Sequence, residues 1–149
     1  MNKTNHSNIL IIGGGCAGIS VATRLHNLKS DLSISIIEPS DQSLYQAAWT
    51  LVGAGAYDKD KTIKPMTEVM PSYVNWIKDH AESFAPESNS VKTSNEEYSY
   101  DYLVVCPGLK INYAGIPGLQ ESIGKNNVCT NYSADTVSYT HLRAHETRI

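Results

Sequence analysis

Three glycines between an apolar run and an amphipathic stretch constrain this chain more than any other feature of its sequence. Residues 8–12 (NILII) form a short β-branched run that is typical of a strand buried on both faces. Residues 13–18 (GGGCAG) follow at once, and three of their four glycines, at the first, third and sixth positions, match the spacing GxGxxG. Apolar residues then recur at helical spacing as far as Leu28. This order predicts a strand, a tight turn and a helix.

The three motif glycines are suited to different tasks in a dinucleotide site. Gly13 permits the tight turn, Gly15 lets the backbone approach a pyrophosphate, and Gly18 lets the helix pack close to the strand. The N-terminus of the helix offers free N–H groups and the positive end of a dipole to the phosphates. The pattern therefore predicts dinucleotide binding, and the alternative is a glycine-rich turn without a ligand.

A second strand follows the helix and ends in an acidic residue. Residues 33–38 (SISIIE) close a βαβ unit at Glu38, and Pro39 cannot continue the strand ladder. A carboxylate at this place accepts hydrogen bonds from ribose hydroxyls and repels a 2′-phosphate. Glu38 therefore favours FAD or NAD over NADP.

The remainder of the chain predicts more strands. Residues 73–77 alternate like a strand, and the polar stretch from there to Tyr100 carries turn signals that indicate a small antiparallel meander. Residues 102–106 (YLVVC) predict another buried strand, which Pro107 and Gly108 end. The fold class we expect is α/β, a Rossmann-like dinucleotide-binding domain with a parallel sheet and a small antiparallel β-meander.

Composition excludes several classes of protein. The chain has 149 residues, of which 41% are hydrophobic, so it can form a core. Its net charge is −3 and no basic stripe stands out, which disfavours nucleic-acid binding. The apolar run is too short for a signal peptide or a transmembrane segment. Cys16, Cys106 and Cys129 are widely spaced without a CxxC pair, which disfavours a disulfide scaffold or a metal site and favours a reducing compartment.

The order of the motifs resembles that of a flavoprotein family. A glycine motif near the N-terminus, then a meander and a strand ending in Pro-Gly, is similar to flavoproteins with two dinucleotide domains, whose first site holds FAD. Residues 45–55 (YQAAWTLVGAG) resemble the Tyr-Gln-x-x-Trp segment of the sulfide:quinone oxidoreductases, which often have proline at the position of Ala47. Residues 62–65, 76–78 and 128–132 resemble the same family, and the resemblance covers residues 8–137.

The resemblance implies an FAD-dependent enzyme at the membrane periphery, with sulfide and quinone as partners. In the family, sulfide attacks a cysteine disulfide, a persulfide forms, and electrons pass to FAD and then to quinone. The resemblance also implies roles for residues of this chain. The pyrophosphate would be cradled by Gly13, Gly15, Cys16, Ala17 and Gly18, and the adenosine ribose would be bound by Glu38. Gln46 would contact FAD, the backbone of Ala81 would meet adenine, and Pro107 and Gly108 would pass near the cofactor. Cys129 matches an auxiliary cysteine of some subgroups.

The family's essential cysteines, second dinucleotide domain, closing flavin motif and membrane-binding region all lie downstream of the matched part. We therefore expect the activity and the membrane contact to belong to a parent protein, and residues 1–149 alone to be inactive. Residues 1–137 are expected to be the N-terminal part of an FAD/NAD(P)-binding domain. Residues 138–149 match no family element and are expected to be a non-native tail.

Two other functions remain open. The first is an NADH dehydrogenase-type or other FAD-dependent oxidoreductase, although the absence of CxxxxC after the glycine motif argues against the glutathione-reductase type. The second is a stand-alone nucleotide-binding module or an inert fragment. Trp49 and Trp76 are interpreted as packing residues, and Cys106 as a small hydrophobe.

Overall fold

The chain divides into two compact units, and the glycine motif lies in the first. The computed structural model describes residues 5–125, 127–138 and 140. The first unit comprises Met1–Ser43 and Pro65–Gly108, and the second comprises Leu44–Lys64 and Leu109–Ile149. Within the described residues the strands are β1 (His6–Ile12), β2 (Ile34–Ile37), β3 (Gln42–Leu44), β4 (Ile63–Pro65), β5 (Val74–Ile77), β6 (Ala81–Ala85), β7 (Ser90–Thr93) and β8 (Glu97–Val105). The α-helices there are α1 (Cys16–Leu28), α2 (Trp49–Gly53), α3 (Met66–Val69) and α4 (Leu119–Ser122).

One large sheet builds the first unit. In the described part of the chain its strand order is β5-β2-β1-β8-β7-β6. Strands β5, β2, β1 and β8 run parallel, whereas β7 pairs antiparallel with β8, and β6 with β7. This confirms the predicted α/β class and the antiparallel meander. Because β8 belongs to both parts, the meander continues the parallel sheet.

The central strand β1 separates two apolar clusters. Leu10 and Ile12 belong to one cluster, and Ile9 and Ile11 belong to another that includes Ala22 of α1. The four β1 side chains are between 0% and 7% exposed. The strand is therefore buried on both faces, as its continuous apolar run predicts. This burial holds the C-terminal end of β1, where the glycine motif begins, in a fixed position.

The strand expected at residues 102–106 is longer and less buried than predicted. Strand β8 begins at Glu97, in a polar stretch that pairs with β7 in the register Ser90↔Ser99. Tyr102 and Val105 are 71% and 56% exposed, so the prediction of a buried strand was wrong for these two side chains. The start of β8 is set by pairing with its neighbours, which a local apolar pattern does not report.

The second unit has a small core around α2. Trp49 and Val52 are buried with Val137, and the Trp49 indole N–H donates to Thr62 Oγ1 at 3.1 Å. Trp49 therefore packs in a core, as interpreted. Of the expected tail at residues 138–149, only Ser138 and Thr140 lie within the described residues, and its boundary stays a prediction. Among the helices of the described residues, none has the length and hydropathy needed to cross a membrane.

Candidate functional site

Two glycines of the motif lie where no side chain fits. Gly13 has a φ of +102°, and a Cβ there would lie 2.2 Å from the carbonyl oxygen of Cys106. A Cβ at Gly18 would lie 1.9 Å from the carbonyl oxygen of Gly13. Both contacts are with backbone, which is held by the sheet on either side. Glycine at these two positions therefore lets α1 begin directly against the ends of β1 and β8.

Gly15 differs from both, because the space around its Cα is open. It is the N-cap of α1 with a φ of −75°, and a Cβ there would meet no atom of the described residues within 4 Å. No side chain in the described part of the chain caps α1, and its first turn contains no acidic residue. The exposed Cys16 and Ala17 follow. The first-turn N–H groups and the positive end of the helix dipole are therefore free to meet an anion.

The carboxylate of Glu38 lies beside the motif. Its Oε2 accepts a hydrogen bond from the N–H of Gly14 at 2.8 Å, and its Oε1 accepts one from the N–H of Ser40 at 2.8 Å. A Cβ at Gly14 would lie 2.8 Å from the Cβ and Cγ of Glu38. Gly14 is therefore glycine because the Glu38 side chain packs on it, and the acid is brought next to the open position at Gly15.

The backbone of Glu38 is held by β5. The Trp76 indole N–H donates to the Glu38 carbonyl oxygen at 2.8 Å, and the Glu38 N–H donates to the Ile77 carbonyl oxygen at 3.0 Å. Sequence reasoning missed Gly14, Ser40 and the hydrogen bond of Trp76. The run of three glycines is a signal that could have identified Gly14. Trp76 had no such signal, because its partner is set by the pairing of β2 with β5.

The chain returns to the same edge of the sheet where β8 ends. The Cys106 N–H donates to the Ile12 carbonyl oxygen at 2.8 Å, and Cys106 Sγ lies 3.8 Å from the Gly13 carbonyl oxygen. Pro107 and Gly108 follow and are exposed. The structure thus places these two residues directly after a residue that contacts the glycine motif.

Burial raises the pKa of the Cys106 thiol above its ordinary value. With Cys16 and Cys129 replaced by serine, we expect the alkylation rate of Cys106 by iodoacetamide to rise with pH around a midpoint above that of free cysteine. The same variant in concentrated urea serves as the control, since unfolding removes the burial and should lower the midpoint. A midpoint in the folded chain at or below the value in urea would contradict this.

The other residues singled out by the sequence lie elsewhere. Ala81 is half-buried at the start of β6, where it pairs with Thr93. Gln46 and Cys129 belong to the second unit, and both are exposed. In the first unit, the structure brings together one set of residues around the end of β1: Gly13, Gly14, Gly15, Cys16, Ala17, Gly18, Glu38, Pro107 and Gly108.

A family model described as pyridine nucleotide-disulphide oxidoreductase matches residues 7–145. The chain belongs to the pyridine nucleotide-disulphide oxidoreductase family. Membership of this family implies a cofactor of the flavin type. The glycine motif and Glu38 lie at the end of β1, within the range that this family model matches.

Individual members of the family give a more specific comparison. The chain is 42% identical over 138 residues to the mitochondrial sulfide:quinone oxidoreductase of Dictyostelium discoideum, covering 91% of this chain and 30% of that protein. It is 39% identical over 137 residues to the mitochondrial sulfide:quinone oxidoreductase of Mus musculus, with the same two coverages, 91% and 30%. The solved sulfide:quinone oxidoreductase of Aquifex aeolicus matches with a TM-score of 0.73 and 28% identity, over 95% of this chain and 32% of that one.

These comparisons confirm the resemblance to sulfide:quinone oxidoreductases within the pyridine nucleotide-disulphide oxidoreductase family. The chain spans about a third of the length of these relatives, between 30% and 32%. The matched third contains the strand, glycine turn, helix and acidic residue described above.

Proposed function

We propose that this chain supplies the part of an FAD site that holds the adenosine diphosphate half, in an enzyme that oxidises sulfide and reduces quinone. The observation that carries the proposal is the pairing of two features at one sheet edge. The open N-terminus of α1 at Gly15 lies one residue from Gly14, whose N–H holds the Glu38 carboxylate at 2.8 Å. This is the combination that a pyrophosphate and an adjoining ribose require.

The residues at this edge fit the adenosine diphosphate half of FAD. The N–H groups of the first turn of α1, at Cys16, Ala17 and Gly18, would hold the pyrophosphate, and Glu38 would accept hydrogen bonds from the ribose hydroxyls. Gly13 gives the turn its shape and Gly15 leaves room for the phosphates. The proposed set is completed by Ala81, near adenine, and by Gln46, Pro107 and Gly108.

FAD bound at this site would accept two electrons from the oxidation of sulfide and donate them to quinone. The chain's own residues would bind and orient this cofactor, because the N-terminus of α1 offsets the phosphate charge and Glu38 excludes a 2′-phosphate. We assign Cys106 a packing role, because its side chain packs on the apolar cluster of Ile9 and Ile11 and its Sγ lies 3.8 Å from the Gly13 carbonyl oxygen. Cys129 is exposed and is assigned an auxiliary role.

Sulfide and quinone are proposed as substrates because curated relatives bear the name sulfide:quinone oxidoreductase. Quinones with apolar tails partition into bilayers, so the parent enzyme would act as a peripheral protein at a membrane surface. The activity is tested on the product of the complete reading frame that contains this sequence. We expect sulfide-dependent reduction of a soluble ubiquinone analogue. Reduction driven by NADH and independent of sulfide would instead support the NADH dehydrogenase alternative.

The nucleotide part of the proposal is tested through Glu38. We expect the chain to bind ADP-ribose at least about tenfold more tightly than 2′-phospho-ADP-ribose, because two like charges would lie close together. Glu38→Gln should reduce this ratio towards one. Glu87→Gln, which removes an exposed carboxylate from the turn at Pro86–Ser88, should leave it unchanged. Equal binding of the two ligands by the unsubstituted chain, measured by titration calorimetry, would contradict the assignment.

A further inference from the structure

The backbone of Glu38 is fastened to β5 in two ways. The β2–β5 ladder ends at the pair Ile37↔Ile77, and the Glu38 N–H still donates to the Ile77 carbonyl oxygen at 3.0 Å. The next residue is Pro39, which has no N–H, so the ladder cannot continue. At this point the Trp76 indole N–H donates to the Glu38 carbonyl oxygen at 2.8 Å. The Trp76 side chain therefore supplies the hydrogen bond to Glu38 beyond the last pair of the β2–β5 ladder.

The Glu38 carboxylate is held by neutral donors. In the described residues no Lys, Arg or His forms an ion pair with it, and its oxygens accept the N–H groups of Gly14 and Ser40, both at 2.8 Å. Ser40 lies only two residues along the chain. The position of its N–H therefore depends on the orientation of the peptide between Glu38 and Pro39, which is the peptide that Trp76 holds.

From these contacts we infer that Trp76 is a positioning residue that aligns the Glu38 carboxylate for the ribose hydroxyls of an adenine nucleotide. This inference rests on the proposed function. Without the indole N–H, the Glu38 carbonyl oxygen would turn towards water to regain a hydrogen bond. The peptide would turn with it, carry the Ser40 N–H away from Oε1 and release the carboxylate. The phosphate contacts at α1 would be unaffected, because they do not involve this peptide.

The experiment compares two ligands that differ only at the ribose. Binding of ADP and of 2′,3′-dideoxy-ADP to the 149-residue chain and to its Trp76→Phe variant is measured by titration calorimetry. We expect the substitution to weaken ADP binding about fivefold, the factor that corresponds to one hydrogen bond, and to change dideoxy-ADP binding by less than about twofold. A purely structural role would weaken both ligands equally, and that result would overturn the inference.

Matched variants separate this effect from a general loss of stability. Trp49→Phe removes an indole N–H donor in the second unit and should leave the ratio of the two affinities unchanged. In a Glu38→Gln background, Trp76→Phe should add no further loss. If Trp76→Phe does not fold, 3-benzothienylalanine at position 76 keeps the ring shape, lacks the N–H and should give the same change in ratio.

The outcomes distinguish the inference from the function on which it rests. Failure of the unsubstituted chain to bind ADP would overturn the proposed nucleotide site, and the inference with it. ADP binding by the unsubstituted chain, together with an unchanged ratio in the Trp76 variants, would overturn the role of Trp76 alone.

Discussion

Gly18→Ala is expected to lower the free energy of unfolding by about 3 kcal/mol, at the upper end of what overpacking costs. The new Cβ would lie 1.9 Å from the carbonyl oxygen of Gly13 and 3.3 Å from Cγ2 of Ile11. The first of these atoms is backbone held at the end of β1, and Ile11 is completely buried. Helix α1 would have to move away from the sheet and give up its packing on Ile9 and Ile11. Urea unfolding followed by far-ultraviolet circular dichroism measures the effect.

The control for this prediction is Gly15→Ala in the same motif. Its Cβ would meet no described atom within 4 Å. The variant would therefore lose only the advantage of glycine over alanine as an N-cap, at most about 1 kcal/mol. Similar small losses in both variants would show that α1 does not lie as close to β1 as the structure places it.

Gly15→Asp is expected to weaken ADP binding about 100-fold, since a carboxylate would meet the pyrophosphate at close range. The same change should leave the free energy of unfolding unchanged or slightly raised. Aspartate is a preferred N-cap, the N-terminus of α1 favours negative charge, and Gly15 already has the extended backbone of an N-cap residue. Affinity is measured by calorimetry and stability by urea unfolding, on the same preparation.

Gly15→Asn is the matched variant, because asparagine caps a helix as well as aspartate but carries no charge. It should weaken ADP binding by about tenfold or less, with the difference from Gly15→Asp reporting the charge. If Gly15→Asp binds ADP as tightly as the unsubstituted chain, the pyrophosphate does not lie at the start of α1.

The parts of this fold that the sequence predicted are those that depend on local pattern. The buried β-branched run of β1, the glycine turn and the apolar face of α1 follow one another without interruption, so each supports the next. Strand β8 shows the limit of such reasoning, because its polar first half is a strand only through pairing with β7. Tyr102 and Val105 look like core residues in the sequence, and their exposure depends on what covers that face.

The candidate site likewise contains residues that the local sequence pattern predicts and residues that it does not. Gly13, Gly15 and Gly18 are recognisable because a turn, an open approach and a close packing each require glycine at a fixed spacing. The supports of Glu38 are recognisable only in part. The run of three glycines is a signal for Gly14, whereas the hydrogen bond of Trp76 spans 38 residues of chain and depends on the register of β2 with β5. Trp76 is therefore more than the packing residue that its sequence context suggests.

Titration calorimetry of the 149-residue chain with ADP, FAD and FMN tests directly whether the site at the start of α1 holds the adenosine diphosphate half of the cofactor. ADP and FAD are expected to bind with affinities within about threefold of each other, because the contacts proposed for the first unit are with the shared adenosine diphosphate half. FMN lacks that half, and no detectable binding of it is expected. Binding of FMN as tight as that of FAD, or FAD binding without any ADP binding, would contradict this assignment.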